Sequence, residues 1–285
     1  MSFSVRRVIQ NPVAHAVVLL LLGGLWSRGA SEPIRWYRTL QQAAAAAQEA
    51  NKPIMIEFWA EWCAPCKVMD AEVYTDSSVA AAVEQKLIPL RVHFDNEKAL
   101  VRHYNVEAIP FLVFTSSYGT ELLHHRGLLG AGELAAVIRA LPADVSDFNR
   151  WDRVLQKDSG NVDALENMAS RLRAAGLYQS SNEFYEKAVK LDSVKKNSAL
   201  RQALLGEMGL NFLDLRDGKK AASIFERCIK ESPNTRERPI FLLGLGRAYA
   251  LIKKKDDARK MLNAVISEFP NSQSAEEARK LLPDL

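Results

Sequence analysis

Glu57-Phe58-Trp59-Ala60-Glu61-Trp62-Cys63-Ala64-Pro65-Cys66-Lys67 carries two cysteines separated by two residues, directly behind an apolar run. That run, Pro53-Ile54-Met55-Ile56-Glu57-Phe58-Trp59, has the length and apolar content of a buried strand. From Cys63 onward a helix is expected through Met69 and Val73. The pair therefore falls where strand gives way to helix. A helix N-terminus favours the thiolate of the first cysteine, and the thiolate is the attacking species. The second cysteine, one turn on, is placed to resolve a mixed disulfide. Pro65 stiffens the first turn, where its missing N–H costs nothing.

Outward from this junction, the chain alternates between two periodicities. Trp36 to Asn51 reads as an Ala/Gln-rich helix, Ser78 to Gln85 as a second, and Leu87 to Phe94 as a strand. Asn96 to Tyr104 is a short helix. Phe111 to Thr115 and Glu121 to His125 are strands joined by a turn at Ser117-Tyr118-Gly119, and Ala131 to Leu141 closes the region as a helix. Such an order indicates a three-layer α/β domain. Past residue 144 only helical patterns remain. Glu166 to Ser193, Glu207 to Pro233 and Gly244 to Pro270 repeat small and large apolar residues at matched offsets, with unit ends 40 and 37 residues apart. Ser274 to Leu282 reads as a final capping helix, and Asp147 to Gln156 as a linker helix or half a hairpin.

The Trp62-Cys63-Ala64-Pro65-Cys66-Lys67 stretch resembles the thioredoxin superfamily, and the resemblance extends over roughly residues 36–142. It implies an α/β thioredoxin fold, a central mixed sheet flanked by helices, using Cys63 and Cys66 as a redox disulfide. It also implies that Ile109-Pro110 is a cis peptide facing the active cysteine, where the backbone pairs with substrate; an X–Pro bond is able to adopt that form. Trp62, Ala64, Pro65, Ile109 and Pro110 are accordingly expected to bind substrate, with Trp59 in the core. The buried acid of the family is usually Asp; here Glu57 holds that position, with Arg91 where Lys is common. Glu57 is expected to relay a proton to and from Cys66, or else only to form a structural pair with Arg91. Asn51-Lys52-Pro53, Lys67 to Asp70 and Val73 to Asp76 look like the exported domains of bacterial thiol-transfer reductases. The helical units resemble tetratricopeptide (TPR) repeats over most of residues 160–282, implying an all-α solenoid whose concave surface binds protein partners.

The 285 residues are 48% hydrophobic and 25% charged, which excludes a wholly disordered chain and suggests about two domains. Net charge is +4, split as −4 over residues 31–144 and +5 over 145–285; this is too small and mixed to argue for nucleic acid. Residues 1–30 hold Arg6, Arg7 and Arg28, no acid, and an apolar run from Val13 to Trp26. This reads as a signal peptide, an uncleaved membrane anchor or a buried helix. The expected division is therefore 1–30 leader or anchor, 31–144 thioredoxin-like and 145–285 repeats, in the periplasm or another extracytoplasmic space. No cofactor is expected, and no metal, since the cysteines lack a second pair or matched histidines. Cys228 reads as a small core residue, and His124-His125 as surface. Two functions compete. One is an oxidoreductase acting on protein thiols and disulfides with an electron donor the sequence does not name. The other is a redox-linked chaperone or assembly adaptor that mainly binds proteins.

Overall fold

The computed structural model describes residues 34–285. The leader or anchor expected over 1–30 lies outside the described residues. Four strands form one sheet in the order β2-β1-β3-β4: β1 (Ile54–Trp59), β2 (Ile88–His93), β3 (Phe111–Thr115) and β4 (Glu121–Arg126). β1 and β2 run parallel, while β3 is antiparallel to both β1 and β4, so the sheet is mixed. The strand period of two sorts the side chains between two layers. Ile54, Ile56, Phe58, Leu90, Val92, Phe111 and Val113 pack with α1 (Leu40–Ala50) and α4 (Lys98–His103). Met55, Leu112, Phe114 and Leu122 pack on the opposite face with Met69 and Val73, which follow α2 (Ala64–Val68), and with α3 (Ser77–Lys86) and α5 (Ala131–Ala140). β1 is buried on both faces, which is why it reads as a continuous apolar run.

Two local expectations shift. The helix expected from Trp36 starts only at Leu40, capped by the Thr39 hydroxyl. Upstream, the Tyr37 N–H donates to the Pro89 carbonyl (2.8 Å) and the Arg91 N–H to the Tyr37 carbonyl (3.0 Å), so this segment extends the sheet edge instead. The helix expected from Cys63 to Val73 is α for five residues and then widens to a π turn over Met69–Val73, where the Tyr74 N–H donates to Met69.

The remainder is helical: α6 (Ser146–Lys157), α7 (Val162–Ala174), α8 (Tyr178–Val189), α9 (Asp192–Lys196), α10 (Ser198–Asp214), α11 (Gly218–Glu231), α12 (Arg238–Leu251), α13 (Lys255–Glu268) and α14 (Gln273–Leu281). α7/α8, α10/α11 and α12/α13 are the three paired units, and α14 packs on α13 as the cap. Phe225 is wholly buried, and Gly209 and Gly244 lie so close to its ring that a Cβ on either would sit within 2.6 Å of it.

The sheet and the array share one core. Leu122 of β4, Leu134 and Ile138 of α5, Phe148 of α6 and Phe184 of α8 belong to a single buried cluster that continues to Phe225. A buried polar seam accompanies it. The Val145 N–H donates to the Asn51 carbonyl (2.8 Å), and Asn149 Oδ1 accepts from the Ser117 N–H (3.1 Å). Asn149 Nδ2 donates to Ser117 Oγ (3.1 Å) and Asn51 Oδ1 (3.2 Å), and Ser116 Oγ donates to the Asp152 carboxylate. Among the described residues no helix is long and apolar enough to cross a membrane.

Candidate functional site

β1 ends at Trp59, and the chain turns through Ala60–Trp62 into α2 with Cys63 as its N-cap. Cys63 and Cys66 are joined as a disulfide with sulfurs 2.05 Å apart, and Cys63 Sγ also accepts from the Cys66 N–H at 3.2 Å. Both cysteines are buried, while Trp62, Ala64 and Pro65 are exposed around them. The Ile109–Pro110 peptide is cis. Phe58 pairs with Phe111, so Pro110 enters β3 at the same end of the sheet at which β1 delivers the cysteines. The Gly127 N–H donates to the Pro110 carbonyl (2.9 Å), bringing Leu128, exposed at 49%, to that end as well.

Residues 35–117 form a thioredoxin-like domain. They match the family model of that description, and residues 212–282 match the tetratricopeptide-repeat model. The thioredoxin-like domain is similar to the thiol:disulfide interchange protein DsbD of Actinobacillus pleuropneumoniae, at 33% identity over 113 residues, covering 36% of this chain and 18% of that protein. It is also similar to a thioredoxin of Buchnera aphidicola, at 35% identity over 65 residues, covering 23% of this chain and 57% of the relative. This chain thus spans a minor part of the first relative and little over half of the second. Among solved structures, a thioredoxin from Thermus thermophilus aligns at 27% identity with a TM-score of 0.35, covering 38% of this chain and 85% of that one.

On the Met55 side of β1 this thioredoxin-like domain holds a charged cluster. Glu57 is fully buried there, with the Tyr74 hydroxyl as a neighbour. Its strand neighbour Arg91 reaches it, Nε to Oε2, at 2.8 Å. Arg91 Nη2 also donates to both oxygens of Asp70, at 2.7 and 2.8 Å. Its guanidinium stacks 4.1 Å from the Trp59 ring centroid and 5.7 Å from that of Trp36. Burial pushes the Glu57 carboxyl up to about 7, against the opposing pull of Arg91. Burial, reinforced by the Glu57 charge, holds the Tyr74 phenol well above its ordinary range.

The sequence thus placed Arg91 beside Glu57, and the ion pair is present. Trp59 departs from the expected core position. It is only partly buried, because its ring is roofed by the Arg91 cation and the His93 edge rather than by apolar side chains. Asp70, Tyr74, His93, Asp95 and Leu128 escaped the sequence reading. Asp70 carried a signal, since it sits four positions after Cys66 and hence on the same side of the helix. Cys228 is buried, its thiol pushed up to about 12 by burial. His124 is exposed and stacks on Phe111, with centroids 5.3 Å apart.

Proposed function

We propose that the protein is an exported thiol–disulfide oxidoreductase, a protein-disulfide reductase or thiol-transfer protein, whose TPR array recruits protein partners. The observation that carries this is the Cys63–Cys66 disulfide at the start of a helix, with Cys63 as N-cap. In the reduced form, the helix N-terminus and the Cys66 N–H favour the Cys63 thiolate. That thiolate attacks one sulfur of a substrate disulfide, forming a mixed disulfide and releasing one substrate thiolate. Cys66 gives its proton to Glu57 and attacks the Cys63 sulfur. The second substrate thiolate leaves, and the Cys63–Cys66 disulfide closes. Two electrons have passed from the pair to the substrate, whose thiolates take up protons. A dithiol donor reverses these steps on the enzyme. A carboxyl near pH 7 suits Glu57 to accept and return that proton at neutral pH.

Trp62, Ala64, Pro65, Ile109 and Pro110 form the substrate-binding rim in this reading. Residues 1–30 serve as signal peptide or inner-membrane anchor, 31–144 carry the chemistry, and 145–285 bind the partner. The similarity to proteins named for thiol:disulfide interchange supports the activity. The test is mixed-disulfide trapping with Cys66→Ser in the native host. Specific adducts on Cys63, lost in Cys63→Ser, are expected. A Cys63 that reacts with an alkylating probe yet captures no protein would overturn the reading. Fusion of residues 1–30 to a reporter active only outside the cytoplasm checks export.

A further inference from the structure

Trp62 presents a large apolar ring to solvent beside Cys63, exposed at 63%. An exposed indole would ordinarily sample several rotamers. This one is held. Its Nε1–H donates to Asp95 Oδ2 at 2.7 Å, and its ring meets Phe94 edge-on with centroids 6.2 Å apart. The Asp95 N–H in turn donates to His93 Nδ1 at 3.2 Å, which leaves His93 Nε2 to donate to Glu61 Oε2 at 2.6 Å. Glu61 is the residue before Trp62, so the bonds close a circuit: Glu61, His93, Asp95, Trp62. Beside the direct Trp62–Asp95 bond, His93 adds a second link between the loop leaving β1 and the loop leaving β2, through its two ring nitrogens. Its own ring is fixed edge-on against Trp59, with centroids 5.6 Å apart.

We infer that His93 is a positioning residue that locks Trp62 as a preformed platform for an apolar side chain flanking the target disulfide of a polypeptide substrate. The inference rests on the thiol-exchange reading and adds the substrate feature that the site selects. A side chain already fixed before encounter spares the complex the entropy of ordering it. The circuit therefore acts on binding, while the chemistry at Cys63 proceeds without it. A small disulfide that never reaches the indole should ignore the circuit altogether.

The test uses the full chain labelled with 5-fluorotryptophan, with the Trp62 resonance assigned by Trp62→Phe. Thiol exchange is measured on a disulfide peptide with Phe beside its cysteine, and on hydroxyethyl disulfide. In His93→Ala, the Trp62 resonance should shift or split, and KM for the peptide should rise about tenfold, the effect of releasing one immobilised side chain. Its kcat, and the rate on the small disulfide, should stay unchanged. His93→Asn, which keeps an acceptor for the Asp95 N–H, should restore most of the loss, and His93→Gln, which keeps only the Glu61 contact, should not. If His93→Ala does not fold, the comparison of His93→Asn with His93→Gln reads the same resonance and decides the same question. An unmoved resonance with unchanged KM, or an equal loss on both disulfides, would overturn the inference. A wild-type protein that exchanges neither disulfide would defeat the thiol-exchange reading and the substrate half of this one, while the fluorine spectra would still decide whether His93 holds Trp62.

Discussion

Glu57 is a carboxylate whose charge is decided chiefly by burial, which raises its proton affinity, against the Arg91 cation, with smaller contributions from the Asp70 charge and the Tyr74 hydroxyl. The folded chain keeps its proton up to a pH of about 7, while the unfolded chain releases it near the ordinary carboxyl value of 4.5. Between those values the folded state binds more protons, so stability falls as pH rises and is flat below. The total loss is up to about 3 kcal/mol, following from the shift in proton affinity. Glu57→Gln should flatten this slope, so that denaturant midpoints of variant and wild type differ most above pH 7. A wild-type slope that survives the substitution would place the linkage elsewhere. In thiol exchange, the same variant should lose the inflection near pH 7 in the step that resolves the mixed disulfide. An unchanged pH–rate profile would remove Glu57 from the proton path. At this scale the sequence was legible where chemistry is local. The cysteine pair, Glu57 and the cis proline lie inside or next to a recognisable run. Asp70 was legible in its helical spacing from Cys66 but not in its pairing with Arg91, and His93 was not legible at all, because the partners Arg91 and Glu61 come from other elements and only strand register and loop geometry choose among many possible charges.

Among the elements, the paired helices of the array depend on close approach more than on propensity. Replacing glycine with alanine inside a helix ordinarily gains about 1 kcal/mol. At Gly244 the added Cβ would lie 2.5 Å from the Phe225 ring, which is buried among α10, α11 and α12 and has no room to retreat. Overpacking costs about 1–3 kcal/mol, so Gly244→Ala should destabilise despite its better propensity. Thermal or denaturant unfolding reads the sign directly, and Gly176→Ala is an unsuitable control because its φ is +76°. The repeat offsets made these helices readable, since the apolar period and the small residues recur together. The late start of α1 was not readable. Trp36 and Tyr37 fit a helix pattern, and the edge of β2 claims the Tyr37 backbone only once the sheet exists.

At the level of the whole molecule, the sheet and the array unfold together if the shared core governs them. Calorimetry on the full chain should give one transition, and two separated transitions would contradict the common core. Asn149→Ala would strand the buried Ser117 N–H, while the Ser117 hydroxyl keeps the Ala47 and Lys52 carbonyls, at a cost of about 1–3 kcal/mol, and should lower that single transition as a unit. This seam was hidden in the sequence. Ser117 opens the turn expected between β3 and β4 and Ser116 precedes it, yet both are fully buried, with α6 supplying Asp152 to the Ser116 hydroxyl and Asn149 to the Ser117 N–H. The charge change at residue 144 marked where composition shifts and said nothing of the packing across it. The seam also bears on how a client would be chosen. Two modules on a floppy tether would offer a bound client a broad cloud of effective concentrations, so that almost any cysteine could eventually reach the disulfide. On the proposed function, a welded pair would instead fix one span between a partner-binding face of the array and Cys63. It would work as a ruler, accepting clients whose cysteine lies at the right distance along the chain from the segment that is gripped, and passing over those with the same motif at the wrong spacing.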